Sequence, residues 1–243
     1  MEVINHNTPV GRVASFSNDS FTAQLSRLGC YAEQEILDNH LKPYIEKSKA
    51  ILDIGGHVGY HSMAYNKINN SCKIKTFEPQ REIYNLLNFN IQQNNIDNVE
   101  VYNLAVGHKN GNITLSDTVT DGPNANMNFE YGEGFECNFG GLSIGKGKNN
   151  VEMVTVDSLN LLSLDYIKID VEGAESLVLM GAKETITKYK PIICFEYNHK
   201  QLSPEYLSDI GFESLPTPHE VLKNYGYQIF ENIPYENIIA KFA

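Results

Sequence analysis

The stretch Ile51-Leu-Asp-Ile-Gly-Gly-His-Val-Gly-Tyr60 constrains this chain more than any other. An apolar run ends in an acid, and a glycine-punctuated turn follows at once. That is how a strand buried on both faces hands over to a loop whose backbone a ligand can approach closely. A second apolar segment, Lys73-Ile-Lys-Thr-Phe77, ends in Glu78-Pro79. An acid at a second strand end, about 20 residues beyond a glycine turn, is placed to accept ribose hydroxyls. Together the two segments point to an adenosine-containing cofactor.

The same strand-then-helix rhythm runs through most of the chain. Ala50 to Ile54, Lys73 to Phe77 and Val99 to Asn103 have strand character, separated by helical patterns over Tyr60 to Ile68 and Arg81 to Gln93. Ile83, Leu86, Leu87 and Ile91 recur at helical spacing in the second of these. Asn110-Gly111 marks a turn before Ile113. Further on, Val151 to Val156, Tyr166 to Asp170 and Pro191 to Glu196 have strand character, and Ala174 to Lys190 fits a helix interrupted near Gly181. A short helix ends over Glu220 to Asn224, and Tyr227 to Phe230 with Asn237 to Ala240 fit a terminal antiparallel hairpin. The expected fold is α/β: an open, mostly parallel seven-stranded sheet with helices on both faces. Residues 1–46, with an edge strand at Gly11 to Phe16 and a helical stretch broken near Gly29, are expected to pack on a core domain spanning 47–243. Residues 117–150 are rich in Gly and Asn and carry Phe129, Tyr131, Phe135 and Phe139. They have the character of an insertion, either a lid over a substrate or a surface loop.

At 243 residues the chain can bury one large core. Its net charge of −11 disfavours nucleic acid and anionic membrane surfaces as partners. No apolar stretch approaches the ~20 residues that span a bilayer. Cys30, Cys72, Cys137 and Cys194 show no metal-site or paired spacing, and Met1-Glu-Val-Ile-Asn-His lacks a basic and apolar leader. A cytoplasmic location with reduced thiols is the expectation, and a homodimer is one admissible oligomeric state.

The glycine spacing separates the cofactors. A dinucleotide turn carries G-x-G-x-x-G so that pyrophosphate can lie against the helix start. Here the order is Asp53-x-Gly55-Gly56-x-x-Gly59, with an acid in front. An acid there opposes a pyrophosphate and favours a cationic ligand, which disfavours a nicotinamide oxidoreductase. S-adenosylmethionine has an ammonium, a sulfonium and a ribose, and no phosphate. Candidate cofactor-binding residues are Asp53, Gly55, Gly56, His57 and Gly59 in the turn and Glu78 at the ribose. Asn103 and Ala105, at and just past the third strand's end, and Asp170 complete the set.

Three motifs in this order, Ile51 to Tyr60, Phe77-Glu-Pro79 and Ile167-Lys-Ile-Asp-Val-Glu-Gly-Ala-Glu175, closely resemble the FkbM-like methyltransferase family. Val156-Asp-Ser-Leu159 and Pro191-Ile-Ile-Cys-Phe-Glu196 extend the resemblance, which covers roughly residues 29 to 200. It implies a class I, Rossmann-like fold, S-adenosylmethionine as cofactor, and O-methylation, often of a sugar hydroxyl in a glycan or glycosylated metabolite. One departure is His57, where the family usually carries Asn.

Methyl transfer to an alcohol needs the acceptor oxygen in line with the carbon–sulfur bond and a means of removing its proton. Candidate catalytic residues lie after two strands: Asp170 and Glu172 after one, Glu196 and His199, with Asn198 beside it, after the other. Two arrangements fit. Asp170 and Glu196 could hold a divalent ion such as magnesium, manganese or calcium, or His199 or Asp170 could act as a base without metal. Asp170 could alternatively cap the following helix or hold the cofactor's methionine end. Glu175 suits the helix N-terminus, where negative charge is favourable. Asn138-x-Gly140-Gly141 is a further candidate acceptor contact. A catalytically inert cofactor- or glycan-binding module is the competing function.

Overall fold

The chain opens with a hairpin, β1 (Val3–Thr8) and β2 (Gly11–Phe16), paired antiparallel. Helix α1 (Ser20–Leu28) starts at Asp19, whose side chain accepts from the Phe21 amide, and stops at Gly29 in left-handed backbone. Short helices α2 (Gln34–Ile36) and α3 (Lys42–Ile45) flank a π-helical stretch, Leu37–Leu41. The alternating unit follows: β3 (Ala50–Ile54), α4 (Tyr60–Ile68), β4 (Lys73–Phe77), α5 (Arg81–Gln93) and β5 (Val99–Tyr102). Three short strands come next, β6 (Ala105–Val106), β7 (Gly111–Thr114) and β8 (Asn150–Val154). The second half comprises β9 (Tyr166–Ile169), α6 (Glu175–Met180), α7 (Lys183–Tyr189), β10 (Ile192–Glu196), α8 (Pro204–Asp209), α9 (Pro218–Asn224), β11 (Tyr227–Ile233) and β12 (Asn237–Phe242). The computed structural model describes residues 1–119, 122, 123, 125, 135–197 and 202–243.

The central sheet has seven strands in the order β11-β12-β10-β9-β3-β4-β5. β10, β9, β3, β4 and β5 run parallel, and β12 is antiparallel to both β10 and β11. All of β9 and the last four residues of β3 are buried, which is why their sequences are continuous rather than alternating. One apolar cluster covers the face carrying α4 and α5, and another the face carrying α6, α7 and α9. The first cluster also takes in Val13, Phe21, Leu25, Leu37 and Ile45, so the N-terminal segment shares the main core.

The structure refines several expectations. The strand expected at Gly11 to Phe16 forms, in a sheet separate from the central one. It pairs with Val3–Thr8, whose polar alternation gave no strand signal, and this two-stranded sheet docks on α5. The docking joins apolar burial of Val13, Ala14 and Phe16 to a polar anchor: the Asn90 side chain accepts from the Ala14 amide (2.7 Å) and donates to the carbonyls of Ala14 (2.9 Å) and Val58 (2.8 Å). The strand expected at Val151 to Val156 forms as β8, in a three-stranded side sheet with β6 and β7. Helix α8 had no separate sequence signal beyond its Ser203-Pro204 start. Of the 117–150 insertion, Val119, Cys137, Phe139 and Leu142 are buried in the first core cluster. Phe129 and Tyr131 lie outside the described residues.

Candidate cofactor and acceptor site

The turn after β3 is built by close approach. A Cβ on Gly55, at φ 85°, would lie 1.7 Å from the Asp170 carbonyl oxygen. One on Gly56 would lie 2.2 Å from Thr76 Oγ1. The Gly55 and Gly56 amides both donate to the Phe77 carbonyl (3.0 and 2.9 Å). Three strand ends, β3, β4 and β9, thereby meet around one loop, and only glycine fits there. Gly59, at φ 91°, lets α4 begin against Leu87.

His57 also has left-handed backbone, φ 47°. Asn adopts that conformation at low cost, and His is tolerated there more readily than most residues. Its amide donates to Glu78 Oε2 (3.0 Å), while Glu78 Oε1 accepts from the Gln80 amide (2.8 Å). Glu78 is 4% exposed, and burial pushes its pKa up to about 7 in spite of those two amides and the nearby imidazole. The His57 ring lies edge-on to Phe21 with Nε2 3.4 Å from Asp19 Oδ2. Burial alone would lower its pKa, but the Asp19 carboxylate outweighs that and leaves it raised.

These groups open onto a cavity of about 750 Å³ at the carboxyl ends of the central strands. Gly55, His57, Glu78, Ala105, Asp170, Glu172 and Glu196 line it. Asp53 does not. It is fully buried beneath the turn, accepts from Ser62 Oγ (2.6 Å), and has its pKa raised by burial. Asn103 does not line the cavity either. Its amide donates to the carbonyls of Glu78 and Pro79 (both 2.9 Å), which clamps the loop that carries the glutamate. Gly56 and Gly59 shape the turn from behind.

Beyond β9, Lys168 is 2% exposed and its Nζ lies 2.7 Å from Asp170 Oδ2. Burial would lower the Lys168 pKa, but Asp170, Glu33 and Asp53 around it raise it above its ordinary value. Burial would likewise raise Asp170, but the Lys168 ammonium holds it below the usual carboxylate range. Asp170, Glu172 and Glu196 bring carboxylate oxygens within 4.8 Å of one another. Glu172 reaches this position through left-handed backbone at φ 57°. Glu175 turns away to accept from the amides of Val171 (3.2 Å) and Gly173 (3.1 Å), and burial pushes its pKa up to about 7. Asn138 and Gly140 line the cavity, and Gln80 Nε2 donates to the Phe139 carbonyl between them (2.7 Å). Asn198 and His199 lie outside the described residues.

The glycine cradle and the buried carboxylate at the next strand end fit an adenosyl cofactor that carries positive charge. Three carboxylates are a hard oxygen donor set suited to a divalent cation, with the Lys168 ammonium already against one of them. One part of the cavity lining was not anticipated. Phe21, Gln24, Arg27, Tyr31 and Glu33 of the N-terminal segment form it. Sequence spacing carried no sign of this, because the segment meets the strand ends only through the tertiary fold.

An open parallel sheet in this order, with a glycine turn after β3 and a buried acid after β4, is the class I methyltransferase fold. Residues 53–229 match the Methyltransferase FkbM domain, and the chain belongs to that family. A curated relative, 2-O-methyltransferase NoeI from Sinorhizobium fredii, is 28% identical over 170 residues, 63% of this chain. The matched region spans 64% of that relative's length. The crystal structure of methyltransferase FkbM from Methylobacillus flagellatus KT gives a TM-score of 0.51 at 15% identity. The match covers 80% of this chain and 44% of that one, a likeness of fold.

Proposed function

We propose that this chain is an S-adenosylmethionine-dependent O-methyltransferase whose acceptor is a sugar hydroxyl of a glycan or glycosylated metabolite. The observation that carries the reading is Glu78. A carboxylate held by two backbone amides at the end of β4, facing a glycine cradle across one cavity, suits a ribose diol. Bound S-adenosylmethionine supplies an electrophilic methyl group on a sulfonium. Glu78 accepts the ribose hydroxyls, the Gly55 turn admits the methionine end, and Asp170 attracts its ammonium. Glu172 and Glu196 lie where the acceptor would enter and favour a neutral or cationic one. Asp170, Glu172 and Glu196 would hold a divalent ion if one is used, and it would lower the acceptor hydroxyl's pKa. The relative named as a 2-O-methyltransferase supports the oxygen acceptor. No helix among the described residues is long and apolar enough to cross a membrane.

The test is methyl transfer from labelled S-adenosylmethionine to a glycan panel, with and without chelator. Turnover on a sugar hydroxyl is expected, and loss with chelator would assign the carboxylate cluster to a metal. Cofactor binding without turnover across the panel would favour the inert binding module.

A further inference from the structure

Two buried ionisable groups have no part in the scheme above. Glu33 is 7% exposed and His61 also 7%, and Glu33 Oε2 lies 3.1 Å from His61 Nε2. Burying a carboxylate is costly unless it is paired, and core packing alone would be served better by an apolar residue. Glu33 is nonetheless on the cavity wall, while His61, on α4, sits behind it. Tyr31, two residues earlier, also lines the cavity, and its hydroxyl feels the charge of Glu33, Asp170, Glu196 and Glu172 together. Glu33 therefore lines the same cavity as the carboxylates beyond β9 and β10. On that wall too, Gln24 Oε1 is buried without a hydrogen-bond partner among the described residues. Both side chains can accept from hydroxyl groups, and both lie outside the family match, which begins at residue 53.

We propose that Glu33, beside His61, is the group that binds the acceptor's reacting hydroxyl, with Gln24 accepting from a neighbouring hydroxyl of the same polyol. This rests on the methyltransferase reading and adds the acceptor side to it. As the acceptor oxygen bonds to the methyl carbon, the carbon–sulfur bond breaks onto sulfur and the hydroxyl proton passes to the Glu33 carboxylate. Asp170 is less suited to that proton, because it is in direct contact with the Lys168 ammonium at 2.7 Å, whereas Lys168 acts on Glu33 through its charge alone. Acceptor choice would then be written in the N-terminal segment, and cofactor choice in the strand-end motifs.

The experiment needs no knowledge of the natural acceptor. Two S-adenosylhomocysteine analogues are compared, with nitrogen in place of sulfur carrying either a 3-hydroxypropyl or a propyl arm. The hydroxyl arm probes the acceptor position directly. In the unaltered protein the hydroxypropyl analogue is expected to bind about tenfold more tightly than the propyl one. In Glu33→Gln that advantage should vanish while S-adenosylhomocysteine itself binds within about twofold of the unaltered protein. Glu33→Asp, which keeps the charge but withdraws it, gives a second arm should Glu33→Gln fail to fold, and should also lose most of the advantage. No advantage in the unaltered protein, or an advantage that survives either variant, overturns the proposal. A parallel loss of S-adenosylhomocysteine affinity in a folded variant would also overturn it, by placing Glu33 on the cofactor. Failure of the unaltered protein to bind S-adenosylhomocysteine would instead remove the methyltransferase reading itself.

Discussion

Glu78 is where the residue scale matters most. Its carboxyl, with a pKa near 7, is protonated in part at neutral pH. On the proposed ribose assignment, hydroxyls donate to the ionised form, so cofactor affinity should rise with pH through that value. S-adenosylhomocysteine should bind about tenfold more tightly at about pH 8 than at about pH 6, and Glu78→Gln should flatten the profile. Calorimetry at both pH values reads this. The acid was legible because a strand end followed by Glu-Pro is a local pattern. Glu33 was not legible. Its partner His61 lies on another element, and nothing local distinguishes Glu33 from a solvated glutamate on a helix. Asp53 shows a third case: its position before the turn was readable, but its burial beneath the turn depends on Ser62 and Lys168.

At the scale of elements, two glycines with similar backbone separate strain from contact. Gly55 and Gly29 both have positive φ, 85° and 71°. A Cβ on Gly29 meets nothing within 4 Å, whereas one on Gly55 collides with the Asp170 carbonyl. Gly29→Ala should therefore cost about 1 kcal/mol of backbone strain. Gly55→Ala should cost several-fold more and abolish cofactor binding, because β3 and β9 must separate; urea unfolding of both variants measures the difference. Asn90 is the element-scale counterpart in the N-terminal hairpin. Asn90→Ala leaves an amide and two carbonyls without partners and should destabilise the protein by roughly 2–4 kcal/mol. The parallel strands were readable because their apolar runs are continuous. The strand at β8 was readable but its sheet was not, because its composition fits either sheet and strand order is decided by which neighbour it reaches.

At the scale of the whole molecule, the N-terminal segment and the α/β unit form one body. Phe21, Leu37 and Ile45 share an apolar cluster with Tyr65 and Ile74 on the central sheet and its helices. Deleting residues 1–46 should expose the α4 and α5 face and remove the cooperative unfolding transition, which a circular dichroism melt would show. The strand alternation was legible, but this coupling was not, since it depends on contacts distant in sequence. The segment also supplies part of the cavity lining, so the same contacts that stabilise the fold place Glu33 and Tyr31 on the cavity that the Gly55 turn lines.

The central claim is that the cavity between the Gly55 turn and Glu78 is an S-adenosylmethionine site. Titrating the full chain with S-adenosylhomocysteine by calorimetry at about pH 8 tests it most directly. One saturable site is expected, with a dissociation constant on the order of micromolar, weakened by roughly 1.5–3 kcal/mol in Glu78→Ala. No saturable heat up to about millimolar ligand, or an affinity that Glu78→Ala leaves unchanged, would contradict it.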